Sequence, residues 1–293
     1  MSRGRPVTLI TGAQGQLGQE LCAIAPADWQ VIAYGSRELD ITDSDAVAAL
    51  CSRERPDVVI HAAAYTKVDE AERQPARAEA VNSVGAATVA RAARDVGARM
   101  VYVSTDFVFD GRQGRPYTPD DMPNPLNVYG RTKRSGEIEV LRISNGDALV
   151  VRTAWVYSAR GDNFVRTMLR LMREQDSLSV VSDQIGTPTW ARSLAEALWV
   201  AAASASVHGI VHWTDAGVAS WYDFAIAIQE EALELGALKR ALPIRPIRSD
   251  QFPRPAQRPA YSVLDKTTGW AALGPARHWR TNLRCMLQEL TRG

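Results

Sequence analysis

Val7-Thr8-Leu9-Ile10-Thr11-Gly12-Ala13-Gln14-Gly15-Gln16-Leu17-Gly18 decides how the rest of the chain is read. Its first five residues are apolar and β-branched and predict a strand over 7–11. Leu17, Leu21 and Ile24 then recur at helical spacing. Between strand and helix lies a GxxGxxG turn. Gly12 permits the tight bend, Gly15 lets the backbone approach a pyrophosphate, and Gly18 lets the helix pack closely on the sheet. Three glycines by themselves serve close packing equally well. Between a strand and a helix they point to a dinucleotide held by the free N–H groups and dipole of a helix N-terminus. Gln14, Gln16 and Leu17 belong to the same turn.

Working outward, strands are expected over 30–34, 57–61, 99–104 and 148–153, and helices over 43–54, 76–96 and 127–144. The Val58-Val59-Ile60 run suits a parallel strand buried on both faces. Strand–helix–strand units of this length imply right-handed crossovers and an α/β fold, a doubly wound parallel (Rossmann) sheet. After about residue 155 the regularity loosens. Helices are expected over 164–173, 191–203, 220–235 and 281–290, and short strands over 178–181 and 210–213. The stretch 243–259 carries five prolines and reads as extended or loop-like. The division expected is a dinucleotide-binding domain over 1–155 and a smaller substrate lobe over 156–293, interleaved, with segments returning to the sheet.

Composition narrows the function classes. The 293 residues hold 46% hydrophobic and 23% charged side chains, a balance that builds a core without disulfides or metals. A net charge of +1, from 34 basic and 33 acidic residues, argues against a nucleic-acid partner, which needs a basic face. No apolar run approaches the roughly 20 residues that span a bilayer, so no membrane partner is expected. Cys22, Cys51 and Cys285 are far apart and odd in number, which fits a reducing, cytoplasmic setting. His208 and His212 stand four apart, but the residues between them read as a strand, so they do not converge on a metal. No metal is expected.

The end of the second strand bears on the choice of dinucleotide. An acid there binds a free ribose 2′-hydroxyl. Here Gly35, Ser36 and Arg37 precede Glu38, and a hydroxyl with a guanidinium favours a 2′-phosphate, hence NADP(H) over NAD(H). Arg37 as a solvated side chain or as an adenine platform are the alternatives. Asp40 and Ile41 lie where the chain can cap the adenine ring, although a helix-capping role for that segment is equally compatible.

Tyr129-Gly130-Arg131-Thr132-Lys133 places a phenol and an ammonium on one helical face. A ketone reductase needs an acid that gives a proton to oxygen as hydride reaches carbon. Free tyrosine has a pKa near ~10, and a neighbouring ammonium is expected to lower it. An exposed helix pair is the ordinary reading of YxxxK. Ser104-Thr105 alters it, because these hydroxyls end the fourth strand, where ligands bind in doubly wound sheets. One of them can orient a substrate oxygen toward Tyr129, or cap the loop that follows.

Several longer segments go with these. They include His61-Ala62-Ala63-Ala64-Tyr65-Thr66-Lys67-Val68-Asp69, Ser104-Thr105-Asp106-Phe107-Val108-Phe109-Asp110-Gly111 and Asn127-Val128-Tyr129-Gly130-Arg131-Thr132-Lys133. Others are Arg152-Thr153-Ala154-Trp155, Asp183-Gln184-Ile185-Gly186-Thr187-Pro188 and Arg258-Pro259-Ala260-Tyr261. Over nearly its whole length the chain resembles the extended short-chain dehydrogenases and, within them, the dTDP-4-dehydrorhamnose reductase family. The resemblance implies a catalytic triad of Thr105, Tyr129 and Lys133, with Thr105 rather than Ser104 orienting the substrate. It implies cofactor contacts from Ala62, Ala63, Ala64 and Tyr65, and sugar contacts from Thr66, Val68, Asp69 and Trp155. Gln184, Gly186, Thr187 and Arg258 are implied on the nucleotide-diphosphate side, and Asn82 as support. Phe107 departs from the family's frequent tyrosine. Of the acids that hold an interface magnesium in some members, only Glu289 can be pointed to.

The activity so implied is NAD(P)H-dependent reduction of the C4 ketone of dTDP-4-dehydro-L-rhamnose to dTDP-L-rhamnose. The partner expected is this small nucleotide sugar, and the sequence leaves a homodimer open. A reductase of another nucleotide 4-keto-6-deoxysugar is the nearest rival. A C4 epimerase would favour an acid after the second strand. A non-catalytic dinucleotide-binding regulatory subunit would have no need of the Thr/Tyr/Lys set.

Overall fold

The computed structural model describes residues 5–292. The chain runs β1 (Val7–Thr11), α1 (Gln16–Ala23), β2 (Gln30–Tyr34), α2 (Ser44–Glu54), β3 (Val58–His61), α3 (Val68–Arg73), α4 (Pro75–Glu79) and a π-helical turn (Ala80–Gly85). It continues with α5 (Ala86–Asp95), β4 (Arg99–Thr105), α6 (Val128–Ile143), β5 (Leu149–Thr153), β6 (Val156–Tyr157), α7 (Phe164–Glu174) and β7 (Leu178–Val181). Then come β8 (Ile185–Gly186), β9 (Thr189–Trp190), α8 (Ala191–Ala203), β10 (Gly209–His212), β11 (Ala219–Ser220) and α9 (Trp221–Glu234). The last elements are β12 (Ile244–Ile247), α10 (Thr267–Leu273) and α11 (Trp279–Arg292).

Among the described residues the main sheet has six strands in the order β10-β5-β4-β3-β1-β2, all parallel. Chain order reverses around β1, and the crevice at such a reversal, beyond the carboxyl ends of the strands, is where doubly wound sheets bind ligands. Alternation along each strand fills two faces. Leu9, Tyr102 and Val150 pack with α2, α5 and α6 on one side. Ile10, Ile60, Val101 and Val151 pack with α1 and α8 on the other. The second half of the chain therefore supplies both a strand, β10, and a covering helix, α8, to the sheet. A separate core forms the lobe, where Val165, Leu169, Phe224, Ile228, Leu283 and Leu287 bring α7, α9 and α11 together.

Several starts follow local chemistry. The Asp43 side chain accepts from the N–H groups of Asp45 and Ala46, and Asn127 accepts from Gly130, so each caps its helix. Ser220 and Asp223 form a reciprocal capping box at α9. The expected helix over 76–96 is interrupted. Pro75 starts α4 as its first residue, and the wider turn Ala80–Gly85 carries Asn82. The Asn82 side chain accepts from Tyr65 N at 2.7 Å and donates to Tyr65 O and to Thr132 Oγ1 at 3.0 Å. The turn thus ties the segment after β3 to α6, a functional use common for π-turns. The sequence reading did not anticipate α10. In the proline-rich stretch 243–259, β12 pairs in parallel with β7. Among the described residues no helix is long and apolar enough to cross a membrane, and no cluster of His, Cys, Asp and Glu could hold a metal.

Candidate active site

A cavity of about 1080 Å³ opens beyond the carboxyl ends of β1, β3, β4 and β5. At one end it is lined by Gly12, Gln14, Gly15, Gln16, Leu17, Gly18, Ser36, Asp40, Ile41, Ala62, Ala63 and Ala64. Toward the lobe it is lined by Thr66, Val68, Thr105, Tyr129, Lys133, Trp155 and Arg258. Segments distant in sequence thus meet in one space, as the turn and the YxxxK face require.

The turn has the shape of a phosphate cradle. Gly12 has φ +75° and lies against Ala63 after β3, where a Cβ would come within 2.6 Å of Ala63 N. A Cβ on Gly18 would stand 2.2 Å from Gly12 O, so the helix can approach the turn only as glycine. Gly15 caps α1 without any side-chain hydrogen bond, which leaves the first N–H groups of that helix to a ligand. These residues fit a dinucleotide pyrophosphate. The lobe closes over them through Asn163, whose Nδ2 donates to Gln16 Oε1 at 2.9 Å.

Around the triad the geometry is more particular than the spacing conveyed. Thr105 Oγ1 donates to Asp106 Oδ1 at 3.1 Å and accepts from Phe107 N at 3.2 Å, so it caps the following turn and also lines the cavity. Ser104 turns its hydroxyl into the protein, onto Glu137 Oε1 at 2.6 Å. Lys133 Nζ donates to Val103 O at 2.7 Å and lies 4.1 Å from the Tyr102 ring centroid. Burial pushes Lys133 down to about 7, against the charge of Glu137.

The expected depression of the Tyr129 phenol by Lys133 is not found. Burial pushes it up to about 12, with the Thr105 hydroxyl working the other way and the Asp106 charge adding to the rise. The Lys133 ammonium is committed to a carbonyl. Tyr129 is consequently a protonated phenol at neutral pH, the form that donates. Asp106 is itself buried and pushed up to about 7. The Ser262 and Thr105 hydroxyls work against that rise, and the residue lines the cavity.

Across the cavity the lobe presents aromatic rings. Trp155 stacks on Trp221 with centroids 3.6 Å apart and planes 6° from parallel, and Phe164 packs on Trp221 at 4.6 Å. All three line the cavity. Trp155 takes the left-handed conformation, φ +47°, which costs a bulky residue on the order of 1–3 kcal/mol. Its ring is also pressed against Gly186, where a Cβ would fall 2.5 Å from the indole. That glycine, expected on the nucleotide side, acts as a slot for the tryptophan.

Besides Gly186, five expected contacts do not line the cavity. Arg37 is exposed and stands outside it. Tyr65 packs its ring on Ala71, Ala78 and Val128. Asp69 is engaged by Arg258 at 2.9 and 3.0 Å and by Ala256 N, so it orients Arg258 from behind. Gln184 donates to Ser249 Oγ at 2.9 Å, and buried Thr187 donates to Gly217 O at 3.0 Å. Each spends its polar atoms on the lobe's own loops. Sequence reasoning missed Trp221, Phe164, Asn163, Asp106 and Glu137. Only the (i, i+4, i+8) spacing of Tyr129, Lys133 and Glu137 offered a signal.

Known proteins resemble the chain over nearly its whole length. A family model described as the RmlD substrate binding domain matches residues 7–292. The chain is 46% identical to a dTDP-4-dehydrorhamnose reductase of Mycobacterium tuberculosis, over 95% of this chain and 91% of that one. It is 41% identical to a dTDP-4-keto-6-deoxy-D-glucose reductase of Streptomyces niveus, over 94% of each. A crystal structure of dTDP-4-dehydrorhamnose reductase from Bacillus anthracis in complex with NADP superposes with a TM-score of 0.92 at 34% identity, over 97% of this chain and 99% of that one.

Proposed function

The chain belongs to the RmlD substrate binding domain family, and on that premise we propose that it reduces the C4 ketone of dTDP-4-dehydro-L-rhamnose to dTDP-L-rhamnose with NADPH. The observation that carries this reading is the meeting of Thr105, Tyr129 and Lys133 on one wall of a cavity whose far end is an open phosphate turn. When bound, the reduced nicotinamide supplies the hydride for C4. The protein's part is to hold the ketone and deliver the proton. Tyr129, a phenol at neutral pH, gives its hydroxyl proton to the developing alkoxide. The Thr105 hydroxyl, which donates to Asp106 in this structure, turns to the same oxygen and orients it. Lys133 compensates the phenolate charge that forms. Trp155 and Trp221 offer a flat apolar wall to the methyl side of a deoxysugar and exclude water from it.

Arg258, fixed by Asp69, is assigned to the diphosphate. Ser36 is assigned to the adenosine ribose. A cytoplasmic location is part of the proposal and rests on the three unpaired thiols. A homodimer or a monomer is to be read by light scattering.

A second reading keeps the chemistry and changes the sugar, favoured by the Streptomyces niveus relative. The test is NADPH oxidation with each keto sugar, for wild type and Tyr129→Phe. Turnover of the rhamnose precursor, lost in the variant while NADPH binding persists, supports the proposal. Turnover of the glucose-derived ketone alone moves the assignment to the second sugar. Binding of NADPH without turnover of either refutes the reductase reading.

A further inference from the structure

Tyr129, Lys133 and Glu137 follow one another at four-residue intervals along α6 and share a helical face. Glu137 is fully buried. Its carboxylate accepts from Ser104 Oγ at 2.6 Å, from Arg152 Nε and Nη2 at 2.8 Å each, and from Arg134 Nη1 at 2.8 Å. Ser104 precedes Thr105 on β4, and Arg152 stands beside Ser104 in register on β5. One carboxylate therefore joins the helix that carries Tyr129 and Lys133 to the strand that carries Thr105. A buried ion pair is poor value as a stabiliser, because desolvation of both ions offsets their attraction. Placed directly behind a triad, it calls for another account.

We propose that Glu137 is a positioning residue for the reduction, a buried charge anchored to β4 and β5 that acts on Lys133 from one turn further along α6. This rests on the function proposed above. The groups around Lys133 define what Glu137 must do. From α6 come Tyr129 and Glu137. From β4 come the Tyr102 ring and the Val103 carbonyl, and the turn after it brings Asp106 to Tyr129. From β3 comes His61, stacked on Tyr102 and held neutral by burial and by the Lys133 charge. From β5 comes Arg152, matched by Glu137. Burial drives the lysine toward its free-amine form, and Glu137 is the charge that opposes this. Without the carboxylate, Arg152 and Arg134, the cations that it binds, are left unmatched.

The sign follows directly. The reaction needs Lys133 protonated, so activity falls as pH rises through its pKa. Removing Glu137 lowers that pKa further, and the alkaline limb of the profile moves to more acidic pH.

The experiment is the pH profile of kcat/KM with NADPH and the keto sugar, for wild type, Glu137→Gln, Glu137→Asp and the double variant Glu137→Gln with Arg152→Gln. NADPH affinity is titrated by fluorescence at the same pH values. We expect the limb of Glu137→Gln to shift down by about one pH unit. That is a roughly tenfold loss at the foot of the limb which acidification recovers. Glu137→Asp should hold the wild-type limb. If Glu137→Gln fails to fold, the double variant, which removes the buried Arg152 charge and leaves only the partly exposed Arg134 without its partner, must still show a limb below that of wild type. A loss uniform across pH with the limb unmoved means a structural role alone and overturns the proposal. If wild type turns over neither sugar, the functional reading has failed. The limb of NADPH binding then decides on Glu137: unmoved in both carboxylate-free variants, it overturns the proposal, and moved, it supports it.

Discussion

On the sheet side of the cavity, Thr105, Tyr129 and Lys133 rest on a buried mesh of Ser104, Glu137, Arg152 and Arg134, every contact of which lies between 2.6 and 2.8 Å. On the lobe side, Trp155, Trp221 and Phe164 face them as stacked rings, and the strain is in the backbone of Trp155. The first wall is held by directional bonds and charge, the second by shape. Proton delivery tolerates little displacement, so the acid and its partners grow from a strand end and a helix packed on the sheet. Recognition of an apolar sugar face needs area and flatness, which rings stacked across a lobe boundary supply.

The contrast is open to attack, starting where the effect is largest. Tyr129→Phe should lower kcat by about 10²–10⁴-fold with NADPH affinity retained, as steady-state kinetics and binding titration will read. Equal loss of binding would mean that the sheet wall holds the cofactor rather than the proton. Asp106 probes the same wall through stability. Its carboxyl, held up at about 7 in the folded chain, is destabilising where it must ionise, and that cost is absent near pH 4 and complete above pH 7. Asp106→Asn should therefore raise the melting temperature at pH 8, by an effect of at most about 4 kcal/mol, and leave it unchanged near pH 4. A gain independent of pH would show that ionisation is not the cause.

On the lobe wall, Trp155→Ala should raise the KM for the sugar nucleotide roughly tenfold or more while kcat changes less. Trp221→Ala should do the same more weakly, about two- to tenfold, since the Trp155 ring still lines the cavity. If Trp221→Ala proved the more damaging, the stack would be a hinge for the lobe rather than a backing. Gln184→Ala should stay within about twofold of wild type in both constants, because its amide is bound to Ser249 away from the cavity.

The two walls also differed in how far the sequence disclosed them. Gly12, Gly15 and Gly18 are local, and their meaning follows from strand–turn–helix order. Tyr129 and Lys133 are local as well, and Asn127 caps their helix as its type suggests. The lobe wall is assembled from Trp155, Phe164 and Trp221, which no period links; only the packing of α7 against α9 brings the last two to the first. Asp69 and Arg258 were both placed near the substrate, but their pairing across most of the chain turns the acid into a support. Glu137 sat in plain view at helical spacing, yet its partners Ser104 and Arg152 come from two neighbouring strands, a relation that register sets and linear sequence hides. The Ala-rich run 76–96 gave no hint of its π-turn, because the cause is the reach of Asn82 to Tyr65 and Thr132.

The strand β10 carries one further consequence, for how the molecule is made. It borders β5, yet it is synthesised only after β6 through α8. For the several seconds that this takes, the nascent sheet ends on the open flank of β5, a wholly buried Leu-Val-Val-Arg-Thr strand in the finished protein. Such a flank is a template for pairing with another chain. Arg152 meanwhile has Glu137 for company but not His212. A chain that folds as it is made therefore passes through an interval in which β5 is the edge of its sheet, and in that interval the hazard is pairing with a neighbouring chain on a crowded polysome.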